Sequence, residues 1–173
     1  MSSARAVIGI DLGTTHSSLA WAEVAAGAQP LELPIAQWLA GRRHGERRLL
    51  PSVLYAPLPG ELPDAADGAD QGPWVAGEYA RIRAQETTGR GVTSAKSWLC
   101  HPGVDRLAPI LPWGKVDEGA PRLSPVDASR AILEHLKRVL AAHAGSRALD
   151  QALIVLTVPA SFDPMARELT VQA

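Results

Sequence analysis

The chain is poor in cysteine and in aromatic residues. It has one Cys, one Phe and two Tyr among 173 residues, and aromatic side chains make up 5%. A single cysteine excludes an intramolecular disulfide framework and a zinc site built on cysteines; it suits a reducing compartment. No stretch reaches the roughly 18 consecutive apolar residues of a spanning helix. The N-terminus lacks the charged-then-apolar layout of a secretory signal, so a cytoplasmic location is expected. Neither sign of charge is in excess: 17 Lys+Arg stand against 18 Asp+Glu, a net charge of −1. Bulk electrostatic capture of nucleic acid or of an anionic membrane needs a marked basic excess, so neither is an expected partner. No internal repeat is visible. What is present is 46% hydrophobic residues, in a length that suits one ordinary folded domain.

Ala6–Leu12 is short, β-branched and apolar on both faces, and reads as a buried central strand. After Gly13-Thr14-Thr15-His16 an apolar run resumes over 17–24, so the two strands form a hairpin. Further strands are expected at 33–39 and 52–55. The stretch 56–73 holds four prolines, three glycines and three aspartates with few large apolar residues, and reads as an exposed loop. A strand end at Trp74-Val75 and a short helix over 78–85 follow. Ser124-Pro125-Val126-Asp127 carries the signature of a helix start. Ile132, Leu136, Val139 and His143 make one stripe at helical spacing, beside Leu133 and Leu140. Gly145 is placed to end that helix. A buried apolar strand is expected over 151–158, ended by Pro159. Asp163 then caps a helix with Pro164 at its first position. That helix meets no stop signal before Ala173. The order of elements suggests a mixed sheet covered by helices.

The strongest chemical signal is Gly9-Ile10-Asp11-Leu12-Gly13-Thr14-Thr15. An acidic residue ends a buried strand and is followed by a glycine turn and two hydroxyl residues. Gly13 allows a close backbone approach or a positive φ. Successive turn amides can then face phosphate oxygens, with the threonine hydroxyls as added donors. Asp11 would repel phosphate unless a metal lay between them, which implies Mg²⁺ held directly or through water. Asp and Gly are common in ordinary turns, but the longer string between two apolar strands favours the phosphate reading. There is no Gly-x-x-x-x-Gly-Lys-Ser/Thr loop, and Gly89-Arg90-Gly91 lacks the third glycine of a dinucleotide fingerprint. Other candidates read as structural. Arg42, Arg43, Arg47 and Arg48 with His44 suit a solvated turn. Cys100 beside His101 suits packing. His135 and His143 lie too far apart for one metal. Trp21, Trp38, Trp74, Trp98 and Trp113 suit core or interface anchors.

The string Ile8-Gly-Ile-Asp-Leu-Gly-Thr-Thr-His-Ser17 resembles the first phosphate motif of the actin-like ATPase superfamily, and within it the heat shock protein 70 (DnaK-type) chaperones. Leu156-Thr-Val-Pro-Ala-Ser-Phe162 with Arg167 resembles their Thr-Val-Pro-Ala-x-Phe segment. Val75-Ala-Gly77-Glu-Tyr-Ala80, then Thr93-Ser-Ala-Lys96, is similar to the family's Val-Gly-x-x-Ala and a later lysine. The matches run from Ile8 to Arg167. The resemblance implies an α/β fold: an actin-like (ribonuclease H-like) lobe with a mixed sheet, an antiparallel meander and crossover helices. Residues 1–40 and 124–173 would form the core subdomain, and 41–123, with loop 56–73, an inserted satellite.

The resemblance further implies ATP or ADP with Mg²⁺ as ligands. Asp11 would orient water around the metal. Gly13, Thr14, Thr15 and His16 would line the β- and γ-phosphates, and Lys96 would reach the γ-phosphate, a fitting task for a point cation. Lys96 and Asp11 would thus serve hydrolysis. Pro159 and Arg167 would relay the nucleotide state to a substrate domain; on the residues alone they read as a strand terminator and a surface charge. Partners would be unfolded polypeptides, bound through a domain not in this chain, with J-domain and nucleotide-exchange co-chaperones. The superfamily's second, glycine-rich phosphate motif and its adenosine motif are absent, so the chain is expected to be part of a longer protein. Alone it should bind ATP weakly and hydrolyse it negligibly. Departures from the family mark a divergent member: His16 stands where Asn is usual, Ser161 replaces an aromatic, and Ser97-Trp-Leu-Cys100 follows the lysine. A sugar-kinase relative, a non-catalytic nucleotide-binding scaffold and a pure interaction module remain as alternatives.

Overall fold

The computed structural model describes residues 5–63, 72–101, 103–159 and 162–173. Residues 64–71 of the loop expected over 56–73, with its three aspartates, and Ser161 lie outside the described residues. The protein is mixed α/β. Strand β1 (Ala6–Leu12) is central in its sheet. It pairs antiparallel with β2 (His16–Glu23), from Ala6 opposite Glu23 to Leu12 opposite Ser17. On its other side it pairs parallel with β10 (Ala152–Thr157), from Ala6 beside Ala152 to Asp11 beside Thr157. A parallel pair needs a crossover; here the connection runs over 13–151 and includes β2. Strands β3 (Leu31–Leu33) and β6 (Leu50–Pro51) both pair with β2 and complete a five-stranded sheet.

The strand expected over 33–39 is divided. Pro34 separates β3 from β4 (Ile35–Leu39), which leaves the main sheet and forms a hairpin with β5 (Arg43–Arg47). Proline lacks the N–H that a continued ladder would use. The arginine-rich cluster therefore lies largely on an exposed strand rather than in a turn. Its His44 ring meets Trp38 edge-on at 5.3 Å.

A third sheet joins β7 (Val53–Tyr55) to β8 (Val75–Ala76) and β9 (Gly91–Thr93). Helix α1 (Glu78–Glu86) follows β8 without a side-chain cap of its own. Instead the fully buried Gln37 accepts from the Glu78 N–H at 2.9 Å and donates to the Leu49 carbonyl at 3.0 Å. Gly77 makes room for it: at φ +102°, a Cβ there would lie 2.5 Å from Gln37 Oε1. One face of this small sheet joins the main core through Leu54, Ala76 and Val92. The other packs Val53, Tyr55, Val75 and Tyr79 around Trp38.

Short helix α2 (Ala95–Trp98) follows β9, and the long helix α3 (Pro125–Ala144) begins at the expected cap. Ser124 Oγ accepts from the Asp127 N–H at 3.0 Å and donates to Asp127 Oδ2 at 2.7 Å. The buried stripe of α3 runs through Ile132, Leu136 and Leu140, in one core with Ile8, Ile10 and Leu12. Each such fully buried side chain contributes about 1.5–3 kcal/mol. His143 lies outside that stripe, exposed, with its ring 6.3 Å from that of Trp21. After α4 (Ser146–Leu149) and β10 comes α5 (Pro164–Gln172), where Asp163 accepts from the Ala166 N–H at 2.6 Å. Strand β10 was expected to be buried. It is instead an edge strand of the described sheet, with Leu153, Ile154 and Val155 about half exposed. Of the tryptophans, Trp38 and Trp74 are buried, whereas Trp113 is 62% exposed and leans on Trp98 at 4.9 Å. Among the described residues, no helix is long and apolar enough to cross a membrane.

Candidate functional site

Parts of the three sequence segments meet at the carboxyl ends of β1 and β10: Asp11 with its turn, Thr157 and Lys96 come together there, whereas residues 75–80 lie in the third sheet and α1. Parallel pairing puts Asp11 beside Thr157 although 146 positions separate them. The Thr157 hydroxyl donates to Asp11 Oδ1 at 2.6 Å. One oxygen of the exposed carboxylate is thereby oriented, and the other is left open to solvent or a ligand.

Lys96 comes from a different part of the fold. It sits on α2, is 6% exposed, and its ammonium donates to the Leu12 carbonyl, between Asp11 and Gly13. The Phe162 ring centroid lies 5.5 Å from Nζ, an attractive arrangement for a cation. Burial lowers the Lys96 pKa from the ordinary lysine value, while the nearby Asp11 carboxylate pulls it the other way. A lysine so held keeps its charge close to Asp11 with few degrees of freedom left to lose on contact with an anion.

The turn between β1 and β2 has Thr14, Thr15 and His16 exposed. Gly13 does not take a positive φ, one of the two uses expected of it. A Cβ there would lie 2.0 Å from the His16 carbonyl oxygen, so the glycine is demanded by the turn's own backbone. Among the described residues, the backbone N–H groups of Thr14 and Thr15 meet no acceptor. The turn is fastened from beneath by Ser52. Its hydroxyl donates to the Gly13 carbonyl at 2.8 Å, its N–H donates to the Thr15 carbonyl at 2.8 Å, and its Oγ lies 3.0 Å from Ser17 Oγ.

The segment after β10 is joined to the same region. Phe162 is buried with Leu99, Val126, Ala166 and Leu169, and its N–H donates to the Pro159 carbonyl at 3.1 Å. Arg106 forms a two-bonded ion pair with Asp163, at 3.0 and 2.8 Å. The Arg106 guanidinium, with the Ala166 N–H, holds the Asp163 pKa at about 2. Pro159 is half-buried, and Arg167 is exposed on α5. Burial, with the Asp163 charge, pushes the Cys100 thiol up, which opposes a reactive thiolate.

Sequence reasoning did not single out Ser52, Thr157, Gln37 or Glu61. The last is a carboxylate with its side chain 7% exposed at the second core. It accepts from Tyr55 at 3.0 Å, Tyr79 at 2.9 Å, Arg83 at 2.5 Å and the Leu58 N–H at 2.7 Å. Burial opposes its charge, and these bonds together outweigh that and lower its pKa. Burial and the Glu61 bond push Tyr79 up to about 12. A cavity of about 540 Å³ adjoins Glu61, and one of about 590 Å³ lies between α3, α5 and β10. Asp11, Lys96 and the turn residues line neither.

The chemistry open to Asp11, the turn and Lys96 is that of an anion site with a built-in carboxylate. Free N–H groups, hydroxyls and an ammonium suit phosphate oxygens. A lone oriented carboxylate suits Mg²⁺, which takes one or two carboxylates and keeps water and phosphate oxygens as its other ligands. Among the described residues no group of three or more His, Cys, Asp or Glu side chains could hold a metal alone. No family model matches the chain.

Proposed function

We propose that the chain carries the first phosphate-binding part of an actin-like, DnaK-type ATPase and takes the phosphates of Mg-ATP at the turn. The observation that carries this reading is the convergence of Asp11, the Gly13–His16 turn and buried Lys96. The Lys96 ammonium is bonded to Leu12, the residue between Asp11 and Gly13. Sequence distance gives no reason for these groups to meet, yet their charges suit one metal-bound polyphosphate.

In this reading the Thr14 and Thr15 amides and hydroxyls bind phosphate oxygens. Lys96 exchanges its bond to the Leu12 carbonyl for a terminal phosphate oxygen and offsets charge there. Thr157 keeps Asp11 in one orientation. Asp11 would hold Mg²⁺ through water, and the ion would neutralise charge between the phosphates. Water attack on the terminal phosphate, control of polypeptide binding and the relay through Pro159 and Arg167 belong to the longer protein that this reading implies.

The test is a Mg-ATP titration of the ¹⁵N-labelled chain followed by NMR. Saturable shifts at the Thr14, Thr15 and His16 amides are expected in the millimolar range, with negligible ATP turnover. Lys96→Met should weaken binding about tenfold or more, the scale of a charge-assisted hydrogen bond. Shifts that avoid residues 11–16, or none at all, would sink the proposal.

A further inference from the structure

Ser52 is a polar residue in an apolar place. It lies between β6 and β7 and is 4% exposed, and its neighbours Leu50, Val53 and Leu54 belong to the buried core. A buried hydroxyl is costly unless bonded, and here every polar group of Ser52 that faces the turn is used. The hydroxyl has one proton, which goes to the Gly13 carbonyl at 2.8 Å. The 3.0 Å contact with Ser17 must then run the other way, with Ser17 donating to Ser52. The Ser52 N–H takes the Thr15 carbonyl at 2.8 Å.

The consequence follows from peptide planarity. In a trans peptide the C=O and the next residue's N–H point in opposite directions. A Gly13 carbonyl fixed toward Ser52 turns the Thr14 N–H away from Ser52. Thr14 is exposed. The Ser52 hydroxyl thus sets the direction of the Thr14 amide, and the Ser52 backbone N–H steadies the turn through the Thr15 carbonyl.

We infer that Ser52 is a positioning residue for phosphate binding: by holding the Gly13 carbonyl its hydroxyl aims the Thr14 amide at the ligand. This rests on the phosphate reading above. Ser17 has a lesser part, because without it the Ser52 proton still reaches Gly13.

The probe is Mg-pyrophosphate, titrated into the 173-residue chain with amide shifts at 13–16 as the readout and urea unfolding as the control. Ser52→Ala should weaken binding at least about fivefold, the scale of one net hydrogen bond. Ser52→Thr keeps the hydroxyl and should restore affinity, whereas Ser17→Ala should stay within about twofold of the parent. A purely structural serine would change the urea midpoint and leave the affinity of the folded fraction alone. If Ser52→Ala does not fold, Ser52→Cys, with its weak S–H donor, takes its place in the comparison. Affinity unchanged in the serine variants, with the parent binding, overturns the positioning role alone. No binding by the parent chain overturns the phosphate reading and this role with it.

Discussion

Two glycines in the same motif should respond oppositely to alanine. At Gly13 the added Cβ would sit 2.0 Å from the His16 carbonyl oxygen and 3.2 Å from its carbonyl carbon. A comfortable carbon–oxygen approach is about 3.3 Å. The obstacle is backbone, so relief requires the turn to open, and the Ser52 bonds to Gly13 and Thr15 stand in the way. Overpacking of this kind costs about 1–3 kcal/mol, and loss of one clamp bond adds about 1 kcal/mol. We expect Gly13→Ala to cost about 3 kcal/mol, which lowers Tm by roughly 6–12 °C for a chain of this size. Gly9 is the control. Its Cβ would meet only the Ala20 Cβ, at an ordinary 3.6 Å. Gly9→Ala should be neutral or stabilising by up to about 1 kcal/mol, through reduced freedom of the unfolded chain. Urea and thermal unfolding of both variants beside the parent make the comparison. A Gly13→Ala protein within about 1 kcal/mol of the parent, or equal losses at the two sites, would refute the steric argument.

Further expectations concern Glu61, Asp163 and Tyr79. Glu61→Ala leaves Tyr55, Tyr79 and Arg83 without their shared acceptor. It should cost about 3 kcal/mol, near the low end for a broken buried pair because Arg83 is partly exposed; an unchanged urea midpoint would refute this. Asp163 has its pKa lowered to about 2 from 3.8, so its contribution is present above the ordinary value and disappears as pH falls through about 2. The stability difference between parent and Asp163→Asn should accordingly hold at neutral pH and close through that window. A difference independent of pH would show that the Arg106 pair is not its source. Tyr79, raised to about 12 from 10, gives the opposite limb. Its stabilisation should fade between those values as pH rises, and Tyr79→Phe should flatten the alkaline part of the unfolding curve.

Local pattern was enough for much of the secondary structure. The continuous apolar run of β1, the Ser124 and Asp163 caps and the prolines after them are visible within a few residues, which is the range a sequence window displays. Elsewhere local cues are neutral. Nothing in 33–39 says that Pro34 marks a change of sheet. The apolar run 152–157 looks the same whether one edge or both are paired, and the structure leaves it on an edge. His143 fits a helical stripe as well as Leu140, and only the direction of the packed sheet puts Leu140 in the core, with Val139 half-buried against it.

The candidate site divides along the same line. The available chemical groups can be read from the residues alone: an acidic strand end, a glycine turn with two threonines, and a lysine. Which of them meet, and in what state, follows from the folded chain. It brought Thr157 to Asp11 and Lys96 to Leu12 across separations of 146 and 84 residues. It buried Lys96 against Phe162 and put Ser52 beneath the turn. The physical reason is that carbonyl direction, desolvation and charge proximity belong to contacts across the fold. A linear sequence carries the partners of such contacts but not their distances.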